Sequence, residues 1–123
     1  MRDIRRPVSA EPLVERLTTT RVADTDAPVF ATIMDLLIFS AGVGMTIQRR
    51  VPVPSSGKAV PFRIFENNQK DGYIFMVALA ERKDPAALSQ DHEDEAARIF
   101  EEYAAGGLEE IASWINDNPL DAS

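Results

Sequence analysis

Arg49, Arg50, Lys58 and Arg63 crowd one short stretch of this sequence and carry the chemistry most easily read from it. Guanidinium groups grip phosphate oxygens bidentately and an ammonium adds a point charge, so four such groups on a ribbon would make a phosphate-contacting edge. Arg5 and Arg6, with Arg2, join them if the N-terminal segment pairs with that ribbon. Four phosphate contacts give a salt slope near about −3.6, which is weak binding to a DNA backbone. The competing reading lies in the same chain. Glu101, Glu102, Glu109 and Glu110 offer these cations partners, within the monomer or across a dimer. Left exposed, the four glutamates form an acidic face that docks on a basic partner or mimics nucleic acid.

Other chemistry is thin. His92, the only histidine, lies in Asp91-His92-Glu93-Asp94-Glu95, where only groups three or four apart on a helix can share an ion. Glu95 is its one such partner, so the run reads as an acid-rich helix start and not as a metal site. Ser55-Ser56-Gly57-Lys58 ends like a phosphate-binding loop but lacks the leading glycine, the following Ser or Thr, and a helix behind it. With no cysteine there is no disulfide, thiolate metal site or thiol nucleophile. Glu101 with Glu102 and Glu109 with Glu110 are neighbours in sequence and diverge on a helix, so neither pair forms an acid–base couple. No nucleophile, base and orienting group assemble, and the expectation is a non-catalytic protein without cofactor or metal. Phe62 and Phe65 are the only aromatics among the cations, too few for single-strand stacking. Tyr73, Tyr103 and Trp114 read as core-edge packing residues.

The elements that must position these residues fit one domain over 1–123, with 117–123 expected to fray. The 123 residues are 45% hydrophobic and 27% charged, with a net charge of −7 that excludes a uniformly basic nucleic-acid binder. The charge is unevenly spread. Residues 1–70 hold ten Lys or Arg against seven Asp or Glu, and residues 71–123 hold three against thirteen. No apolar segment follows the basic N-terminus, and the run Val29 to Val43 is interrupted by Asp35 and shorter than the roughly 20 residues of a membrane span. A cytoplasmic protein without membrane contact is expected.

The pattern predicts a mainly α, α+β fold: four to five helices around a central apolar helix, with a two-stranded antiparallel β-ribbon. Ser9 caps a first helix through Pro12 to Leu17, ended by Thr18–Arg21. From Asp26 as cap, Phe30, Ile33, Met34, Leu37, Ile38 and Ala41 recur at helical spacing and Gly42 and Gly44 end the central helix. Alternation at Ile47, Val51 and Val53 and at Val60, Phe62 and Ile64 predicts a ribbon over about 46–65, turning at 54–58. Its prolines keep it out of a large sheet, and its open edges suit homodimer pairing. Tyr73 to Lys83 reads as helix, with a strand over 73–79 as the alternative. Asp84-Pro85 starts a short turn. A helix follows from about Asp91 to Gly106-Gly107, and a last one covers Leu108 to Ile115.

Three stretches, Arg49-Arg50-Val51-Pro52-Val53, Gly57 through Asn67, and Ile99-Phe100-Glu101-Glu102-Tyr103-Ala104-Ala105-Gly106-Gly107-Leu108, resemble the fourth dnd-associated family of small proteins, encoded beside bacterial DNA phosphorothioation genes. The opening Arg2-Asp3-Ile4-Arg5-Arg6-Pro7 is similar too, so the likeness runs over most of the chain. The resemblance implies an accessory part in phosphorothioate-linked modification or restriction, a defence against phage and other foreign DNA, with the system's other proteins as partners. It implies no catalytic residues.

Overall fold

Five α-helices and two short two-stranded sheets make up the described part of the chain, which in this computed structural model comprises residues 1–22 and 27–117. In order these are β1 (Ile4–Arg6), α1 (Glu11–Thr19), β2 (Arg21–Val22), β3 (Ala27–Pro28), α2 (Ile33–Ile47), β4 (Lys58–Val60), α3 (Phe62–Asn67), α4 (Gly72–Arg82) and α5 (Glu93–Asp117). Single 3-10 turns cover Val8–Ala10, Pro85–Leu88 and Gln90–His92. The mainly helical α+β class is as expected.

α5 carries the fold. It is one helix of 25 residues, not two, and about half of it, from Ala96 to Leu108, is buried around most of its circumference. Gly106 and Gly107 do not end it. At Gly107 an added Cβ would overlap the Ser40 carbonyl of α2, and at Gly106 that of Arg49. Glycine is there so that another backbone can approach, which a helix tolerates at a cost of about 1 kcal/mol each. α2 answers in kind. Gly44 stands where a Cβ would strike the Tyr103 carbonyl, so α2 and α5 cross backbone to backbone. The central position expected of α2 is therefore shared, with α5 as the helix that the other elements surround.

α2 begins later than Asp26, which lies outside the described residues. Thr32 caps it, its hydroxyl accepting from the Asp35 N–H at 3.1 Å. It runs through Gly42 and Gly44 and stops at Gln48, which takes the left-handed conformation (φ 55°). The N–H groups of Gln48 and Arg49 then donate to the carbonyls of Met45 and Gly44. α1 keeps Pro12 in its first turn, but Ser9 sits in the preceding 3-10 turn and makes no cap bond. α4 settles residues 73–79 as helix. Asp84 starts the next turn as expected, accepting from the Ala86 N–H at 3.0 Å.

The ribbon exists with different strands. β4 pairs antiparallel with β1, in the register Ile4↔Val60, Arg5↔Ala59 and Arg6↔Lys58. Thr46 and Ile47 belong to α2, and residues 49–53 run without strand partners, the Val51 N–H donating to the Glu102 carbonyl of α5 at 3.0 Å. Residues 62–67 are helical because Phe62 and Phe65, three apart, both enter the core, and Pro61 with φ near −58° leads into a helix. A second ribbon, β2 with β3, closes where the end of α1 alone was expected. The expected fraying of 117–123 concerns residues that, beyond Asp117, lie outside the described part; Asp117 itself is the last residue of α5.

Candidate functional site: a basic segment held by carboxylates

Leaving α2, the chain lays Arg49 and Arg50 against Glu110 and Glu102 of α5, and α4 supplies a further carboxylate from the other side. Arg50 Nη1 donates to Glu81 Oε2 at 2.6 Å, and its Nε and Nη2 lie 3.0 and 2.9 Å from Glu102 Oε1. Its guanidinium carbon sits 5.5 Å from the centroid of the Tyr103 ring. Burial alone would lower the Arg50 pKa, but the two glutamates outweigh it and raise it. The Tyr103 hydroxyl, followed by Arg50, holds the Glu81 carboxyl below the usual range, and burial together with Glu81 pushes the Tyr103 hydroxyl up. Arg49 Nη1 approaches Glu110 Oε2 at 3.4 Å.

The remaining cations divide. Arg6 is buried, with Nε donating to Glu11 Oε1 at 2.5 Å and with Nη1 unpartnered. Lys58, on the same face of the ribbon, reaches Glu11 only at 3.7 Å and stays well exposed. The side chains of Arg5 and Arg63 form no ion pair among the described residues. Thus pairing of the N-terminal segment with the basic stretch does bring Arg6 and Lys58 to one face of the ribbon, with Arg5 on the other, while Arg49 and Arg50 are drawn away to α5 and α4.

The four glutamates expected to form an acidic face do not share one. Glu101 is 3% exposed and points to β1, accepting from Arg2 Nη1 at 2.6 Å, Arg2 Nη2 at 2.9 Å and the Arg5 N–H at 2.5 Å. Glu102 lies behind Arg50, with Arg98 at 3.9 Å, and Glu110 also accepts from Trp114 Nε1 at 3.0 Å. Glu109 alone of the four is exposed. Successive helical residues turn by about 100°, so two adjacent pairs on α5 could not all face one way.

Sequence reasoning missed Glu11, Glu81 and the pair Lys70–Asp35 at 2.6 Å. Glu11 left a faint signal, five residues after Arg6; Glu81 and Asp35 left none. His92 Nδ1 meets Ser89 Oγ at 2.7 Å rather than Glu95, whose carboxylate takes Arg82. This pair is an exposed local contact at a 3-10 turn. Among the described residues no group of three or more His, Asp or Glu is placed to hold a metal ion, and no helix is long and apolar enough to cross a membrane.

What fold and site define is a small α+β protein whose charged groups fasten its own segments together. The chain belongs to the family described as DNA sulphur modification system-associated protein 4, which it matches over residues 3–122. Its association is therefore with a DNA sulphur modification system, in line with the resemblance read from its basic stretch and α5. No curated protein matches the chain. Nor does any solved structure.

Proposed function

We propose that this protein is a non-catalytic accessory component of its DNA sulphur modification system, serving modification or restriction by docking on the system's other proteins rather than by gripping DNA. The observation that carries this is the engagement of Arg49 and Arg50 by Glu110, Glu81 and Glu102. A guanidinium already held by two carboxylates must break those contacts before it can take a phosphate, and the exchange gains little. Net charge supports the same reading. At −7 the chain is repelled by DNA and attracted by the basic surfaces of proteins that handle DNA.

A second reading is favoured by Arg5 and Arg63, whose side chains form no ion pair among the described residues, and by the weakly held Lys58, on and beside the β1–β4 ribbon. Three phosphate contacts give a salt slope of about −2.7 at most. Filter binding of the purified chain to duplex DNA across a salt series separates the two. The docking reading expects no retention above background at physiological salt and a stable complex on size-exclusion chromatography when the system's proteins are co-expressed. Retention with a slope near −2.7 that Arg5→Glu with Arg63→Glu abolishes, and no complex, would overturn it.

A further inference from the structure

One face of α5 is only partly covered. Ala105, Leu108, Glu109 and Ala112 recur at intervals of three and four and so share a side of the helix. From across a gap, α1 and the turn before it contribute Pro7, Ala10 and Leu13. Alanine at 105 and 112 leaves space that a larger side chain would close, and the result is a slot of about 130 Å³ between α1 and α5. An apolar cavity of roughly 150 Å³ holds a benzene ring, so this slot has room for a straight chain of four carbons. Two polar side chains line it, those of Ser9 and Glu109. Both residues are exposed, and among the described residues neither side chain takes part in a hydrogen bond or ion pair. Glu110 cannot stand in for Glu109. It turns about 100° away on the helix and is already engaged, by Arg49 at 3.4 Å and by Trp114 Nε1 at 3.0 Å.

We propose that this slot takes a lysine side chain presented by a partner protein, its four methylenes lying along the apolar lining and its ammonium meeting Glu109 and the Ser9 hydroxyl at the mouth. The inference rests on the docking reading above and names the part of the partner that is held. Charge complementarity selects the occupant. A wholly apolar side chain would strip water from the Glu109 carboxylate and give it no partner in exchange. Arginine has only three methylenes before Nε, so its first N–H would enter the apolar part of the slot without an acceptor. Lysine has an uninterrupted stem that buries while its charged end stays at the water edge. Its three donors are then met by one carboxylate, one hydroxyl and solvent. A single side chain seated in a pocket with a charged mouth is the kind of contact on which the strength of a protein interface depends most.

The probe is Nα-acetyl-lysine methylamide, which carries the side chain without the partner, titrated into the nitrogen-15-labelled full chain and followed by NMR. The amides of Leu13, Ala105, Glu109 and Ala112 should shift together with a dissociation constant on the order of 1 mM. The norleucine and arginine analogues should bind at least about threefold more weakly. Glu109→Gln should weaken the lysine probe about fivefold or more. Ala112→Leu, which fills the slot with its own side chain, should abolish the response. Neither variant should melt below wild type, because Glu109 is exposed and unbonded and the added leucine atoms enter open space. With the system's other proteins co-expressed, Glu109→Lys should reduce the co-eluting fraction about tenfold or more. No localised shift up to about 20 mM probe overturns the proposal. So does parity among the three analogues, an undiminished response in Glu109→Gln, or a complex that Glu109→Lys leaves intact. A wild type that binds the lysine probe in the slot yet forms no complex supports the slot and overturns the docking reading instead.

Discussion

Glu101→Gln removes one charge at constant volume from the point where β1 meets α5. The carboxylate receives three hydrogen bonds, two from the Arg2 guanidinium at 2.6 and 2.9 Å and one from the Arg5 N–H at 2.5 Å. A carboxamide keeps one acceptor, replaces the other with a donor facing donors, and leaves Arg2 without its counter-charge. Breaking a buried ion pair by removing one partner costs about 3–5 kcal/mol. Glu101 is 3% exposed but Arg2 is 25% exposed, so water recovers part of the guanidinium's solvation. About 2–3 kcal/mol is then the expected loss. At roughly 2.1 cal/mol/K per residue, 123 residues convert this to a Tm lower by about 8–12 °C. Thermal melts by far-UV circular dichroism measure it. Arg2→Met isolates the partner, and the double variant should cost at least about 1 kcal/mol less than the two single losses together. A Tm drop below about 2 °C for Glu101→Gln, or strict additivity in the double variant, would refute the claim that this carboxylate fastens the N-terminal strand.

Two further outcomes follow from the packing and the titration of the site. Gly107→Ala should cost about 3 kcal/mol or more, because the new methyl meets the Ser40 carbonyl and neither backbone can yield, whereas Gly72→Ala, with nothing within 4 Å, should stay within about 0.5 kcal/mol of wild type; equal urea midpoints for the two would contradict the close crossing of α2 and α5. Asp35, held down chiefly by the Lys70 hydrogen bond, and Glu81, held down chiefly by the Tyr103 hydroxyl, have folded pKa values below their unfolded ones. Their contribution is present above the unfolded values of about 3.9 and 4.3 and is lost as pH falls through the lower folded ones. Urea denaturation from about pH 6 to about pH 3 should therefore show an acid limb that flattens in Asp35→Asn with Glu81→Gln, and an unchanged limb would count against both contacts.

Periodicity located α1, α2 and the two halves of α5, since apolar residues three and four apart need no knowledge of their neighbours, while α4 was read from its length and its helix-forming end, with a strand over 73–79 left open. The glycines were misread for a physical reason. Glycine ends a helix by taking positive φ and also permits two helices to touch, and only the second applies at Gly44, Gly106 and Gly107, all of which keep negative φ while Gln48 takes the left-handed turn. Val60, Phe62 and Ile64 alternate like a strand, but Phe62 and Phe65 also recur at three, and the core used that second spacing. At the site, pairing of Arg49 and Arg50 with α5 was legible as the alternative to DNA contact because opposite charge was available in the same chain. Glu81 was not legible, since nothing in the spacing joins residues 31 apart. The acidic face dissolved once α5 proved continuous and turned Glu101 inward.

The placement of β1 sets the order in which the protein can be completed on the ribosome. Ile4–Arg6 leave the exit tunnel well ahead of their strand partner, which follows more than fifty residues later, and the carboxylate that receives the Arg5 amide is 96 residues away. Until α5 emerges, β1 lacks the carboxylate that fastens it, and the preceding helices lack the one they surround. Nascent chains stalled ahead of α5 should therefore stay protease-sensitive, with protection arriving in a single late step once α5 has emerged.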